Sequence, residues 1–242
     1  MNSIKKFFTK ATGYWLHKQN NLPVGADLFV DIAHKVKYPS LDVLFDVGAN
    51  IGQTRSYFRF HLPDAKIYSF EPVQSTFAKL QVSAGADANC VIENMALGDA
   101  AGKKTIRLFD ADMTVLNSLR DDVMNNHTGA REETITIDTL DHYCDVQQIK
   151  KIDLLKIDTE GFEINVLKGA KQMLQSGSIS FVYCETGFQN SNKRNTYFPE
   201  LTEFLAAQDY YFFGLYNTDY HDWKRGNHLA NALYIHHSVF PS

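Results

Sequence analysis

Cysteine is scarce in this sequence of 242 residues: it stands only at 90, 144 and 184, with no Cys-x-x-Cys pair. Three widely spaced thiols exclude a disulfide framework and a thiolate zinc site, and they suit a reducing cytoplasm. Positive charge is not in surplus either. Lys and Arg number 24 against 28 Asp and Glu, a net charge of -4, which argues against a broad basic face for nucleic acid. No stretch approaches the ~20 apolar residues that a membrane-spanning helix needs. Lysines at 5, 6, 10 and 18 interrupt the amino-terminal segment, so no signal peptide is expected. The nine histidines form no His-Glu-x-x-His metal motif, and His236 and His237 read as surface residues. Repeats and low-complexity tracts are missing. What remains is 44% hydrophobic and 21% charged, a balance with enough apolar mass for a full core. The length suits one soluble α/β domain with embellishments.

The pattern alternates strand and helix. Leu41–Asp46, Lys66–Phe70, Cys90–Glu93, Ile152–Ile157, Ile179–Cys184, Tyr210–Phe213 and Ala232–Ile235 read as strands, with helical spacing between most of them. Thr105–Phe109 and Thr134–Ile137 read as two short extra strands around an irregular stretch, Asp110 to Arg131. Such alternation predicts a doubly wound, Rossmann-like fold, a seven-stranded and mostly parallel sheet with an antiparallel last strand. Residues 1–38 read as a helical extension and 39–242 as the domain.

Phe45-Asp-Val-Gly-Ala-Asn-Ile-Gly52 runs a strand into a glycine turn and then a helix. The helix start offers unpaired N–H groups to an anion. Asn50 stands where a Gly-x-Gly-x-x-Gly dinucleotide loop has its second glycine. Asp46, at the strand end, repels pyrophosphate but accepts hydrogen bonds from an ammonium group. The amino acid tail of S-adenosylmethionine therefore fits Asp46, Gly48, Asn50 and Gly52 better than a dinucleotide does. Glu71 ends the second strand, the position from which an acidic residue reaches ribose hydroxyls. Ala96 and Leu97 follow strand three and can line an adenine slot.

Asp158, Glu160 and Glu185 follow the next two strands. Ligands bind at the carboxyl ends of strands in open α/β sheets, so these carboxylates are candidates for the reaction centre. They can deprotonate a hydroxyl or hold a hard cation; whether a divalent metal takes part stays open. Tyr216, Tyr220, His221, Trp223, Lys224, Arg225 and His228 lie between the last two strands. That mix of aromatic faces and donors suits the wall of a polyhydroxylated acceptor site, together with Asp110 to Arg131.

The segments Asp46-Val-Gly-Ala-Asn-Ile-Gly52, Phe70-Glu-Pro72, Asn94-Met-Ala-Leu-Gly-Asp99, Asn117-Ser-Leu119, Ile137-Asp-Thr-Leu-Asp141, Asp153-Leu-Leu-Lys-Ile-Asp-Thr-Glu-Gly-Phe-Glu163 and Val166-Leu-Lys-Gly-Ala170 resemble, in order, the FkbM-type methyltransferases. The resemblance implies a class I methyltransferase sheet, S-adenosylmethionine as donor, and O-methylation of a sugar, glycan, polyketide or similar small-molecule acceptor; the charge balance leads to an expectation of no nucleic acid partner. Two alternatives stand beside it: a catalytically silent domain that binds S-adenosylmethionine, and a nicotinamide-dependent oxidoreductase, which Asn50 disfavours.

Ile4, Phe7, Phe8, Ala11 and Trp15 fall at helical spacing among the four lysines. This helix is expected to pack on the chain's own domain; contact with a membrane surface through residues 1–18 is the less favoured alternative. Oligomeric state is not legible.

Overall fold

The computed structural model describes residues 3–14, 17–108, 131–191, 194–219 and 228–240. They fall into two compact units, 1–39 and 40–242.

In the first unit, α1 (Ser3–Thr12) stops at Gly13, whose positive φ of 76° breaks the helix. Phe7 and Tyr14 stand 76% and 72% exposed, so the apolar face expected to pack is partly open. Trp15 lies outside the described residues. A short turn, α2 (Leu28–Val30), is capped by the Asp27 side chain, which accepts the Val30 N–H at 2.8 Å. It widens into a π-helical stretch over Asp31–Val36, and Lys37 in the left-handed region ends it.

The second unit is built on β1 (Val43–Val47), β2 (Lys66–Phe70), β3 (Cys90–Glu93), β4 (Ala96–Leu97), β5 (Gly102–Leu108), β6 (Arg131–Asp138), β7 (Ile152–Ile157), β8 (Ile179–Gly187), β9 (Tyr210–Asp219) and β10 (Leu229–His236). Seven of them form one sheet in the order β3-β2-β1-β7-β8-β10-β9. The first five pair in parallel. β10 runs antiparallel to both β8 and β9, so β9 points the same way as the parallel set. The sheet is α/β, seven-stranded and mostly parallel, with β10 reversed.

Helices α3 (Gln53–His61), α4 (Gln74–Ala84), α5 (Leu140–Val146), α6 (Glu163–Lys168), α7 (Lys171–Gln175) and α8 (Phe198–Ala206) follow the strands. Adjacent strand residues face opposite sides, and β1 uses both. Phe45 meets Tyr143 of α5 edge-on at 6.1 Å, while Asp46 feels Arg55 of α3.

β1 begins at Val43 rather than Leu41 because Asp153 takes the preceding amides. Its Oδ2 accepts the N–H groups of Asp42 and Val43 at 2.8 and 2.9 Å. The helical spacing between Ile157 and Ile179 resolves into two helices, α6 and α7, broken at Gly169. A Cβ on Gly169 would run into the carbonyl oxygen of Gly98. The Leu-Gly and Lys-Gly pairs of two distant motifs are thus one close backbone contact. His236, expected at the surface, is 4% exposed; it fills the space above Gly177, and its Nδ1 lies 2.7 Å from Ser238 Oγ. His237 is exposed as expected.

β4, β5 and β6 form a second, three-stranded sheet, with β4 parallel and β5 antiparallel to β6. Among the described residues no helix is long and apolar enough to cross a membrane.

Candidate active site

A cavity of about 380 Å³ opens at the carboxyl ends of β1, β2, β7 and β8, within the range of ligand pockets. Val47 to Asn50, Glu71, Ala96, Lys156, Asp158, Glu160 and Glu185 all line it. The strand ends therefore bring most of the expected residues to one wall.

The glycine turn is fixed by its neighbours. The N–H groups of Gly48 and Ala49 donate to the Phe70 carbonyl at 3.1 and 2.9 Å, and Asn50 N–H donates to Glu71 Oε2 at 3.1 Å. Gly48 has φ of 81°, and a Cβ there would strike the Asp158 carbonyl oxygen. Its glycine is required by the approach of β7 as much as by any ligand. Gly52 does not line the cavity. It sits against Leu80 and Ser83 of α4, each 3.0 Å from where a Cβ would stand. The lining passes instead through Gln53 and Thr54, the first residues of α3.

Glu71 is 7% exposed. Its Oε1 accepts the Val73 N–H at 2.9 Å. Burial pushes its carboxyl up to about 7, against the pull of the Val73 and Asn50 amides, with Asp46 and Glu133 adding to the rise. Asn94 holds the backbone here: its Nδ2 donates to the carbonyls of Glu71 and Pro72, both at 3.0 Å. Beyond Glu71 the lining turns apolar with Val73, Ala96, Leu97 and Ile106. Ile106, from β5, is a wall residue that the sequence did not mark.

Asp46 is fully buried and is not a lining residue. Burial raises its carboxyl to about 6, although Lys156 draws it down. Lys156 is the register partner of Asp46 across β1 and β7. Its Nζ lies 2.9 Å from Asp158 Oδ2 and 3.8 Å from Asp46 Oδ1. Burial alone would lower the ammonium, but Asp158 and Asp46 hold it above its ordinary value. This cation between two carboxylates was also unmarked. The signal was a lysine inside an apolar strand, Ile152–Ile157, where a charge requires partners.

Glu160 takes a left-handed φ of 53°, which turns its side chain toward Arg194, 3.5 Å away. Burial, and then Asp158, raise it to about 7. Glu185 accepts the Asn195 Nδ2 hydrogen at 2.6 Å. Burial first, then Asp158, Glu160 and Glu163, push its carboxyl well above the usual range. The three carboxylates share a wall, but each has its own partner: Asp158 has Lys156, Glu160 has Arg194, and Glu185 has Asn195. Among the described residues no three His, Cys, Asp or Glu side chains are grouped to hold a metal ion.

Behind this wall lies Glu163, 0% exposed. Its Oε1 accepts from Thr159 N, Thr159 Oγ1 and Gly161 N at 2.9, 3.0 and 3.0 Å. Its Oε2 accepts from Thr196 N and Oγ1 at 3.2 and 2.6 Å. One carboxylate thus joins the loop of Asp158 and Glu160 to the segment of Arg194 and Asn195.

Of the expected acceptor wall, Tyr216 is buried and meets Tyr183 edge-on at 5.8 Å; it is core. Leu229 pairs with Gly187, so the connection from β9 to β10 springs from the cavity end of the sheet. Tyr220, His221, Trp223, Lys224 and Arg225 lie outside the described residues, as do 109–130 with Asn117-Ser-Leu119.

The sequence model of the methyltransferase FkbM domain matches residues 46–212. Curated relatives include the hexuronic acid methyltransferase AglP of Haloferax volcanii, 30% identical over 147 residues, or 60% of this chain and 55% of that protein. The 31-O-demethyl-FK506 methyltransferase FkbM of Streptomyces tacrolimicus is 26% identical over 60% of this chain and 66% of its own length. The 2-O-methyltransferase NoeI of Sinorhizobium fredii is 25% identical over 59% of this chain and 62% of its own. The chain thus spans between about half and two thirds of these relatives.

Proposed function

The chain belongs to the FkbM methyltransferase domain family, and from that premise we propose that it methylates a hydroxyl of a sugar, glycan or related small molecule, with S-adenosylmethionine as donor. One observation carries the reading: a single cavity has an apolar end, a carboxylate at its middle and three more carboxylates on its far wall.

The residues fit the donor. Val73, Ala96, Leu97 and Ile106 offer an apolar slot for the adenine. Glu71 spends one acceptor site per oxygen on a backbone amide, and a carboxylate has about four, so it can still accept from ribose hydroxyls. The free amides at the start of α3, beside Gln53 and Thr54, suit the donor's carboxylate. The buried Asp46–Lys156 pair sets the charge beneath the glycine turn of Gly48, Asn50 and Gly52. When bound, the donor supplies an electrophilic methyl group on a sulfonium.

The far wall handles the acceptor. Glu160, with its carboxyl near neutrality, is the best matched to take the hydroxyl proton. Glu185 is favoured in its protonated form and donates a hydrogen bond to the acceptor. Asp158 stands on the same wall, 2.9 Å from the Lys156 ammonium. Alignment of the acceptor oxygen supplies much of the rate. The name of one relative, a hexuronic acid methyltransferase, favours a sugar acceptor, and that of another, a 2-O-methyltransferase, favours transfer to oxygen. The three free cysteines suit a reducing compartment, so we place the reaction in the cytoplasm.

The test is transfer of labelled methyl from S-adenosylmethionine to a mixed pool of sugars and glycans, with the product identified by mass spectrometry. A methyl ether is expected. Donor binding without transfer to any acceptor would instead mark a silent binding domain, and binding of NAD in place of S-adenosylmethionine would end the reading.

A further inference from the structure

The first 26 residues contain no Asp or Glu, yet they hold Lys5, Lys6, Lys10 and Lys18. Four positive charges stand unopposed at one end of a chain whose net charge is -4. At about 100° per residue, Phe7, Phe8 and Ala11 of α1 fall on one arc, and the three lysines of the helix spread over the rest. Phe7 is 76% exposed, and Tyr14, just past the helix, is 72% exposed. Lys6 and Lys10 are exposed too. A globular chain gains by covering a phenylalanine of this kind, and α1 presents it beside cations.

We propose that α1 is an interfacial helix that docks on an anionic lipid surface. The apolar arc enters the boundary between headgroups and acyl chains, and Lys5, Lys6 and Lys10 meet the anionic headgroups. Charge complementarity selects this occupant. A second copy of the same helix would bring lysines against lysines. A nucleic acid would satisfy the lysines but give Phe7 and Phe8 nothing to enter. The inference is independent of the methyl-transfer reading, because vesicle binding needs neither donor nor acceptor.

The experiment is co-sedimentation of the full chain with vesicles of phosphatidylcholine alone and of phosphatidylcholine mixed with phosphatidylglycerol. Binding is expected on the mixed vesicles only, and it should weaken as salt rises. Replacing Lys5, Lys6 and Lys10 together with Gln should cut partitioning on the order of 100-fold, at about fivefold per lysine. F7A with F8A should cut it as well, and both variants should keep the wild-type thermal transition, since α1 lies outside the main unit. A full chain that stays in the supernatant with mixed vesicles overturns the proposal. So does equal binding to both vesicle types. A self-association that F7A abolishes, with no vesicle binding, assigns the face to a second copy instead.

Discussion

Glu163 Oε2 accepts the Thr196 hydroxyl hydrogen at 2.6 Å across 33 positions of sequence. With its four other acceptor contacts, this bond sets where Arg194 and Asn195 stand, and so where Glu160 and Glu185 point. Glu163→Ala should cost about 3–5 kcal/mol of stability in chemical denaturation, because three buried and two half-buried donors lose their acceptor. Glu163→Gln keeps the volume but turns a donor toward donors. It should lower kcat far more than it weakens donor binding, which calorimetry on the folded variant would read. A Glu163→Gln enzyme with wild-type kcat would remove Glu163 from any positioning role.

Glu71 should dominate donor affinity. Glu71→Gln removes the charge that accepts from ribose and should weaken S-adenosylmethionine binding by about 1.5–3 kcal/mol. Isothermal calorimetry checks this, and unchanged affinity would take Glu71 out of the donor site.

The far-wall carboxylates separate by substitution. With Glu160 as the proposed base, Glu160→Gln should lose ~10²-fold or more in kcat. In Glu185→Gln, the amide can replace the hydrogen bond of a protonated carboxyl, so most of the activity should survive. The reverse ranking would exchange the two roles.

The pH dependence of stability has a definite sign. Glu71 and Glu160 have folded values raised to about 7 from 4.5, so the folded state holds more protons than the unfolded chain between those values. Stability from these groups is fully present below about pH 4.5 and is lost as pH rises through 7. The melting temperature of the ligand-free protein should therefore fall between pH 5 and 8, and the double variant with Gln at 71 and 160 should flatten that fall. An equal slope in wild type and variant would show that the decline arises elsewhere.

Gly169→Ala tests a contact that no ligand touches. The added methyl meets the Gly98 carbonyl, and overpacking of this kind costs about 1–3 kcal/mol. A melting temperature equal to wild type would mean that the α6–α7 junction can yield.

Much of this architecture was legible because it is local. β2, β3 and β7 start and stop where alternation and turns place them, and the last strand, β10, runs antiparallel as expected. The cavity positions of Glu71 and Ala96 were legible for a related reason: a strand's end is a position in sequence. Lys156, Ile106, Arg194 and Asn195 were not: Arg194 reaches Glu160 across 34 positions, Asn195 reaches Glu185 from a different element, Lys156 sits between Asp158 and the distant Asp46, and Ile106 comes from the second sheet. The role of Gly52 also differs from its sequence reading. It answers to Leu80 and Ser83 of α4, a contact that no local pattern records.

The insertion of β10 between β8 and β9 has a consequence for the birth of the molecule. Synthesis makes β8 and β9 first, yet the two are not neighbours in the sheet. Until residue 236 leaves the ribosome, the inner edge of β8 carries unpaired backbone groups at the heart of the fold. The sheet therefore cannot close during translation of its first six long strands. The nascent chain is most exposed to mispairing and to chaperone capture in the interval between Tyr210 and His236.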